Sequence, residues 1–169
     1  MTITDISTQL PVKFSVGRRL FAKINYAVVH HDAVLAPDHY DALARYKTEA
    51  EYHISKGWGH ISYHLKIARD GSVYQVLPLT EVGWHAGNYK VNLTSIGICL
   101  DGDFTKQKPS DAQVAALAEL MNELATQRPD MPLLVRGSFY AHKEVRLLPT
   151  ACPGTQIATQ VINYRKGIK

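Results

Sequence analysis

The run Ile24-Asn25-Tyr26-Ala27-Val28-Val29-His30-His31 sets the organisation of the whole chain. Its β-branched and aromatic residues crowd a short apolar stretch, which predicts a buried strand. The strand ends in two imidazoles, His30 and His31. Adjacent residues of a strand point to opposite faces of the sheet, so a regular strand presents only one of the two to a given site.

Helix and strand signals alternate after this strand. Pro37-Asp38 predicts the start of a helix with Asp38 as its N-cap, and Gly57 predicts the end of that helix. Residues 62–68 and 73–76 predict the two strands of a hairpin, because the Asp-Gly pair between them is a strong turn signal.

The second half of the chain continues the same alternation. Residues 95–100 predict a further strand, and Ser110 with Gln113 predicts a capping box that begins a long helix. A last helix is expected from about Gly154 to Tyr164. Strands interleaved with helices predict a single α/β domain with a mixed central sheet flanked by helices.

Size and composition agree with one globular domain. The chain has 169 residues, of which 46% are hydrophobic and 20% are charged, and these values argue against disorder. No run approaches the ~20 apolar residues of a transmembrane helix. The first residues also lack the continuous apolar region of a secretory signal. We therefore expect synthesis in the cytoplasm without a signal peptide and no transmembrane segment.

The net charge of +4 is concentrated most strongly between Lys13 and Lys23, a stretch that includes Arg18 and Arg19. We assign residues 1–23 to an N-terminal basic arm and residues 24–169 to the folded domain. Mild basicity favours polyanionic surroundings. The positive charges are not dense enough to predict nucleic-acid binding, so we expect no nucleic-acid partner.

Two histidines and a cysteine are candidate metal ligands. His142 follows the first strand at a long distance, and Cys152 lies ten positions after His142. Imidazole and thiolate donors suit zinc, and three protein ligands leave a fourth position for water, as in catalytic sites. With only Cys99 and Cys152, the chain has too few cysteines for a disulfide framework. Such spacing also arises by chance, so the neighbouring motifs must support the assignment.

Five short motifs follow one another along the chain. They are Val28-Val29-His30-His31, Ser62-Tyr63-His64 with Arg69-Asp70-Gly71-Ser72-Val73-Tyr74, Gly83-Trp84-His85-Ala86-Gly87, Asn92-Leu93-Thr94-Ser95-Ile96-Gly97-Ile98, and His142 with Thr150-Ala151-Cys152-Pro153-Gly154. In this order, over roughly Ile24 to Gln156, the chain resembles the zinc-dependent N-acetylmuramoyl-L-alanine amidases. That family includes phage amidase-type lysozymes and animal peptidoglycan recognition proteins. The resemblance implies cleavage of bacterial peptidoglycan between N-acetylmuramic acid and the first L-alanine of the stem peptide.

The resemblance also implies roles for single residues. It selects the first histidine of the pair, so the implied ligands of Zn²⁺ are His30, His142 and Cys152. Tyr63 matches a tyrosine whose phenol donates to the oxyanion that forms when water attacks the amide carbonyl. Thr150 is implied as a second donor, although its hydroxyl carries no positive charge. His31 is expected to be a packed or partly exposed imidazole.

Three further residues match positions that line the substrate groove in the family. Trp84 offers a flat apolar face to a sugar, while His85 and Asn92 offer hydrogen bonds to the peptide or the sugar. The alternative is that these residues only pack against the ends of the strands. Cys99 stands where another branch of the family carries a catalytic glutamate, and we interpret it as a small buried residue.

We therefore predict a zinc-dependent, bacteriolytic peptidoglycan amidase. The missing signal peptide and wall-binding repeats favour a phage or prophage endolysin, made in the host cytoplasm and acting on the cell wall after release. The main alternative is a non-catalytic peptidoglycan-binding module of the same fold. Such members commonly lack the cysteine ligand, so Cys152 favours the enzyme. We also hypothesise that the basic arm binds anionic envelope polymers; otherwise it packs on the domain and exposes its charges to water.

Overall fold

A six-stranded mixed sheet forms the centre of the protein. The computed structural model describes residues 1–126 and 134–168. In chain order the strands are β1 (Ile3–Asp5), β2 (Tyr26–His31), β3 (Leu65–Ile67), β4 (Val73–Gln75), β5 (Ser95–Leu100) and β6 (Phe139–Ala141). They lie in the order β1-β4-β3-β5-β2-β6 and are parallel except for the antiparallel pair β3–β4.

Five α-helices accompany the sheet in the described part of the chain. They are α1 (Ala42–Ser55), α2 (Tyr89–Thr94), α3 (Asp111–Leu124), α4 (His142–Val145) and α5 (Thr155–Lys166). The predicted α/β class with a mixed sheet is therefore confirmed. Within residues 1–126 and 134–168, none of the helices combines the length and the apolar character that crossing a membrane requires.

The two faces of the sheet carry different chemistry. The main core contains Val29 and Ile98, together with apolar side chains of α3 and α5. Because side chains alternate along a strand, His30 and Cys99 lie on the opposite face. The strand register places His30 beside Cys99, and Cys99 beside Lys66. These three polar or ionisable residues thus form a row across β2, β5 and β3.

The first 23 residues contribute to the sheet itself. β1 pairs in parallel with β4 and forms one edge of the sheet, and the side chains of Ile6 and Leu10 are buried. Ile6 and Leu10 pack in a second apolar cluster with Tyr46 and Ala50 of α1. The predicted arm thus contributes a strand to the sheet and two side chains to this cluster.

Most local predictions agree with the structure, but the start of α1 does not. The N-cap is Asp41, whose Oδ1 accepts a hydrogen bond from the Ala44 N–H at 3.1 Å, rather than Asp38. Asp38 instead forms an ion pair with Arg69. The capping box of Ser110 and Gln113 is confirmed by both of its reciprocal hydrogen bonds.

Candidate metal centre

Three ligand atoms converge at the carboxyl edge of the sheet. His30 lies near the end of β2, His142 is the first residue of α4 after β6, and Cys152 lies in the loop before α5. Their ligand atoms all lie within 4.8 Å of one another, and His30 Nδ1 is 3.8 Å from Cys152 Sγ. Ordinary Zn–N and Zn–S bonds at a tetrahedral angle place nitrogen and sulfur about 3.6 Å apart. We call these three residues the histidine–cysteine cluster.

The imidazole of His142 leaves one nitrogen unpaired. Its Nε2 lies 3.1 Å from the carbonyl oxygen of Ala86, which can only accept, so Nε2 carries the proton. Its Nδ1 is buried and has no hydrogen-bond partner among the described residues. A buried polar atom without a partner is costly, and a cation bound at this nitrogen would remove the deficit. The residues present therefore fit a metal ion.

The pKa values of the three cluster residues also fit the binding of a metal ion. Burial lowers the pKa of His30 well below its usual value, and that of His142 to about 4. Both imidazoles are therefore neutral at pH 7 and offer lone pairs. Burial raises the pKa of the Cys152 thiol to about 12, although the His31 N–H donates to its sulfur at 3.3 Å. The thiolate needs a nearby positive charge, which a divalent cation supplies.

His31 lies outside the cluster. Its Nδ1 accepts a hydrogen bond from the Phe104 N–H at 2.9 Å, and its ring lies against the ring of Phe104. The alternation of side chains along β2 accounts for this difference between neighbouring histidines.

Tyr63 lies between the cluster and a pocket of about 610 Å³. The centroid of its ring is 5.2 Å from that of His30. Burial raises the pKa of its phenol well above the usual value, so the hydroxyl keeps its proton and can donate it in a hydrogen bond. The other walls of the pocket include Asp32 and five side chains of α1, among them Arg45, Glu49 and Tyr52.

Thr150 is close to the cluster because of its position before Cys152. Its Oγ1 accepts a hydrogen bond from the Cys152 N–H at 3.2 Å, which holds the loop that carries the thiol. The hydroxyl proton remains available for donation.

The three predicted groove residues differ in exposure. Trp84 is half-buried and stacks on Tyr89, with ring centroids 5.7 Å apart. His85 and Asn92 are only 5% and 2% exposed. His85 contacts the ring of His30 rather than an open surface, and Asn92 Oδ1 accepts a hydrogen bond from the Ala86 N–H at 2.8 Å.

A second buried polar cluster was not predicted from the sequence. Lys66 Nζ is fully buried and lies 2.8 Å from Glu49 Oε2, 3.0 Å from Asp101 Oδ1 and 3.2 Å from Asp32 Oδ2. We call these four residues, with Arg45, the Lys66 cluster. A lysine inside an apolar strand, and an aspartate directly after each of β2 and β5, are the sequence signals that could have indicated it.

The charges of the predicted basic arm fall into two groups. The guanidinium of Arg19 donates to the carbonyl oxygens of Asn92 and Ser95, both at 2.6 Å, so it holds internal backbone. The side chain of Arg18 is 80% exposed, and Lys13 and Lys23 are exposed as well. Arg19 is therefore not a surface charge.

The fold and the cluster define a single-domain α/β protein with three residues that could hold a metal ion. The family profile described as N-acetylmuramoyl-L-alanine amidase matches residues 20–155, and the chain belongs to this family. The resemblance inferred from the five motifs is thus confirmed.

The similar proteins include a peptidoglycan-recognition protein, a phage endolysin and a bacterial amidase. Peptidoglycan-recognition protein SC2 of Drosophila simulans is 31% identical over 145 residues, which cover 84% of this chain and 74% of that protein. An endolysin of Klebsiella phage KP32 is 36% identical over 108 residues, covering 61% of this chain and 65% of the endolysin. The solved N-acetylmuramoyl-L-alanine amidase LysC from Clostridium intestinale URNW superposes with a TM-score of 0.72 and 25% identity, over 100% of this chain and 99% of LysC.

Proposed function

We propose that this protein is a zinc-dependent N-acetylmuramoyl-L-alanine amidase that releases stem peptides from bacterial peptidoglycan. The observation that supports this proposal most strongly is the convergence of His30 Nδ1, His142 Nδ1 and Cys152 Sγ beside a tyrosine-lined pocket. Membership of the amidase family supports the reaction class. The donor set is the one that zinc prefers, and it leaves room for a fourth ligand.

In this proposal, the three cluster residues hold the metal ion. When bound, zinc supplies a Lewis acid that polarises a carbonyl and lowers the pKa of a coordinated water. Tyr63 keeps its phenolic proton and donates a hydrogen bond to the carbonyl oxygen as that oxygen gains negative charge. Such a donor acts mainly on the transition state, where charge develops. Thr150 holds the Cys152 loop and offers a second, weaker hydroxyl donor.

The pocket beside Tyr63 is the proposed binding site for the peptidoglycan strand. Its walls combine the aromatic ring of Tyr52 with the charged groups of Arg45 and Glu49, so it offers both apolar and polar contacts. Trp84, which is half-buried, offers an aromatic face that suits a sugar ring.

We also propose that the natural setting is that of a phage or prophage endolysin. The identity with a phage endolysin supports this setting. The protein would then be made in the cytoplasm of the host, would reach the cell wall after release, and would be bacteriolytic.

The test combines zinc analysis with peptidoglycan digestion. We expect about one zinc per wild-type chain, and mass spectrometry of digests should show free stem peptides and glycan strands without peptides. Cys152→Ser should lose both zinc and activity, because the thiolate is an anionic and soft ligand. Cys99→Ser, at the other buried cysteine, is the matched control and should retain zinc. A Cys152→Ser protein with full zinc and full activity would contradict the proposal.

The relative among the peptidoglycan-recognition proteins favours a second candidate function, a peptidoglycan-binding module without catalysis. The same experiment separates the two functions. A zinc-loaded wild-type protein that binds peptidoglycan and releases no stem peptide would be a binding module.

A further inference from the structure

One short segment contacts both histidines of the metal centre. His85 Nδ1 lies 3.0 Å from His30 Nε2, and the carbonyl oxygen of the next residue, Ala86, lies 3.1 Å from His142 Nε2. The contact to His30 is made to the nitrogen remote from Cys152, and the contact to His142 leaves its Nδ1 without a hydrogen-bond partner. Two consecutive residues therefore contact the Nε2 atoms of both imidazoles.

The hydrogen bonds around His85 form a consistent series when His30 is the first donor and the carbonyl oxygen of Val91 is the last acceptor. If His30 offers the lone pair of Nδ1 to a metal, its Nε2 carries the proton and donates to His85 Nδ1. The proton of His85 then lies on Nε2, which is 3.4 Å from Ser95 Oγ. Ser95 Oγ in turn donates to the carbonyl oxygen of Val91 at 2.6 Å. The chain of donors ends at a backbone acceptor, so no member is left unsatisfied.

The surrounding residues hold this segment in place. Asn92 Oδ1 accepts from the Ala86 N–H at 2.8 Å, and Arg19 binds the carbonyl oxygens of Asn92 and Ser95. Gly97 on β5 leaves the space for the imidazole, because a Cβ at this position would lie 2.8 Å from His85 Cγ. Asn92 and Arg19 thus hold the segment in place, and Gly97 leaves the space for the buried imidazole of His85.

We propose that His85 is a positioning residue of the metal centre, which fixes the tautomer and the ring orientation of His30, and that it is not a contact for the substrate. This inference rests on the proposed zinc site. Ala86 does the same for His142 through its carbonyl oxygen. Partners of this kind commonly change metal affinity by 10–100-fold when they are removed.

Zinc affinity provides the first test. We compare the wild type with His85→Phe, which keeps a planar ring without an acceptor, and with His85→Asn, whose amide oxygen can accept near the position of Nδ1. Competition with a chromogenic chelator should show a zinc Kd about 10–100-fold higher for His85→Phe, and a value close to the wild type for His85→Asn. Ser95→Ala, which removes the outer acceptor, should give a smaller loss and is informative if His85→Phe does not fold.

Two further measurements distinguish positioning from substrate contact. In ¹⁵N spectra of the zinc-loaded wild type, His30, His85 and His142 should all carry the proton on Nε2. In metal-free protein, a soluble muropeptide should bind equally well to the wild type and to His85→Phe.

The results that would contradict the positioning role of His85 differ from the results that would contradict the proposed zinc site. Zinc affinity unchanged in both His85→Phe and Ser95→Ala, or muropeptide binding lost in metal-free His85→Phe, would overturn the positioning role. A wild-type protein that binds no zinc would overturn the zinc site itself, and this inference with it.

Discussion

Two buried polar clusters lie on the same face of the sheet, on either side of Cys99, and they differ in whether they contain charges of both signs. The Lys66 cluster places the ammonium of Lys66 and the guanidinium of Arg45 among three carboxylates. The histidine–cysteine cluster contains neutral imidazoles, a neutral thiol and an unpaired nitrogen on His142. The first therefore supplies its own counter-charges, whereas the second, which we propose to be a zinc site, has no charged group among its three residues.

The pKa values show the same contrast. Burial alone would lower the pKa of Lys66, but the nearby Asp101, Cys99, Glu49 and Asp32 raise it well above its usual value, so it stays charged. In the other cluster, burial is the largest effect on the pKa values and favours the neutral forms of His30, His142 and Cys152. Of the two clusters, the one without a cationic group of its own is thus the candidate for binding a metal ion.

The largest effect on stability is expected for a substitution in the Lys66 cluster. Lys66→Met should lower the free energy of unfolding by about 3–5 kcal/mol, because it leaves buried carboxylates without their central cation. Urea unfolding of metal-free protein at pH 7 measures this value. Cys152→Ser is the comparison, and it should change the stability of metal-free protein by less than ~1 kcal/mol. Equal losses in the two variants would remove the distinction between the clusters.

Tyr63 lies between the two clusters. Its replacement tests whether its hydroxyl takes part in the proposed reaction. Its ring is 5.2 Å from that of His30, and Lys66 Nζ is 5.4 Å from the centroid of the Tyr63 ring. Tyr63→Phe should lower kcat by ~10²–10³ with little change in KM, zinc content or stability. Tyr74→Phe on β4 serves as the control. Wild-type turnover in Tyr63→Phe would reduce this tyrosine to a packing role.

His53, which lines the pocket near Lys66, provides a test of how the stability of the fold depends on pH. Burial and then the charge of Lys66 lower its pKa to about 4, and its Nδ1 accepts from the Ser62 N–H at 3.2 Å. A lowered folded-state pKa means that the unfolded chain binds the proton more readily. The stability that depends on neutral His53 is therefore present above pH 6.5 and is lost as the pH falls from 6.5 toward 4.

The size of this pH effect follows from the shift. At ~1.4 kcal/mol per pKa unit, the contribution is at most about 3.5 kcal/mol. Unfolding of metal-free wild type and His53→Gln at pH 7.5 and pH 4.5 measures it. The wild type should lose more stability between these two pH values than the variant, and parallel losses would contradict the assignment.

The smallest expected effect concerns exposed charge, which belongs to neither cluster. Arg18→Ser should weaken binding to anionic envelope polymers at 0.1 M salt and leave stability nearly unchanged. The effect should disappear at 1 M salt, where the Debye length falls from ~10 Å to ~3 Å. Arg19→Ser is the internal counterpart and should lower stability instead. Polymer binding that is unchanged in Arg18→Ser at low salt would exclude the anchoring role for this residue.

The sequence predicted the parts of the fold whose signals are local. β2, β5, the hairpin and the capping box of α3 follow from short patterns that specify their own conformation. β1 and β6 have only three residues each and exist through pairing with distant strands, so no local pattern reveals them. For α1, the predicted cap Asp38 forms an ion pair with Arg69, and Asp41 caps the helix instead.

The candidate site shows a similar limit. Motifs indicated His30, His142 and Cys152, but residue type alone does not reveal exposure. His85 and Asn92 offer hydrogen bonds that suit a sugar or a neighbouring side chain equally well, and only the packing against His30 and Ala86 separates the two. Lys66 was missed because lysine is rarely buried, and its carboxylate partners lie on three separate segments.

Different segments of the chain supply the pocket walls and the Cys152 thiol, so one mutation can change the thiol alone. The pocket walls come largely from α1, while Cys152 comes from the loop before α5. A single nucleotide change converts a cysteine codon to a serine codon, and here it would remove the sulfur without altering the α1 wall of the pocket proposed to bind peptidoglycan. Under that proposal, one mutational step would separate a hydrolase from a receptor that keeps the same pocket.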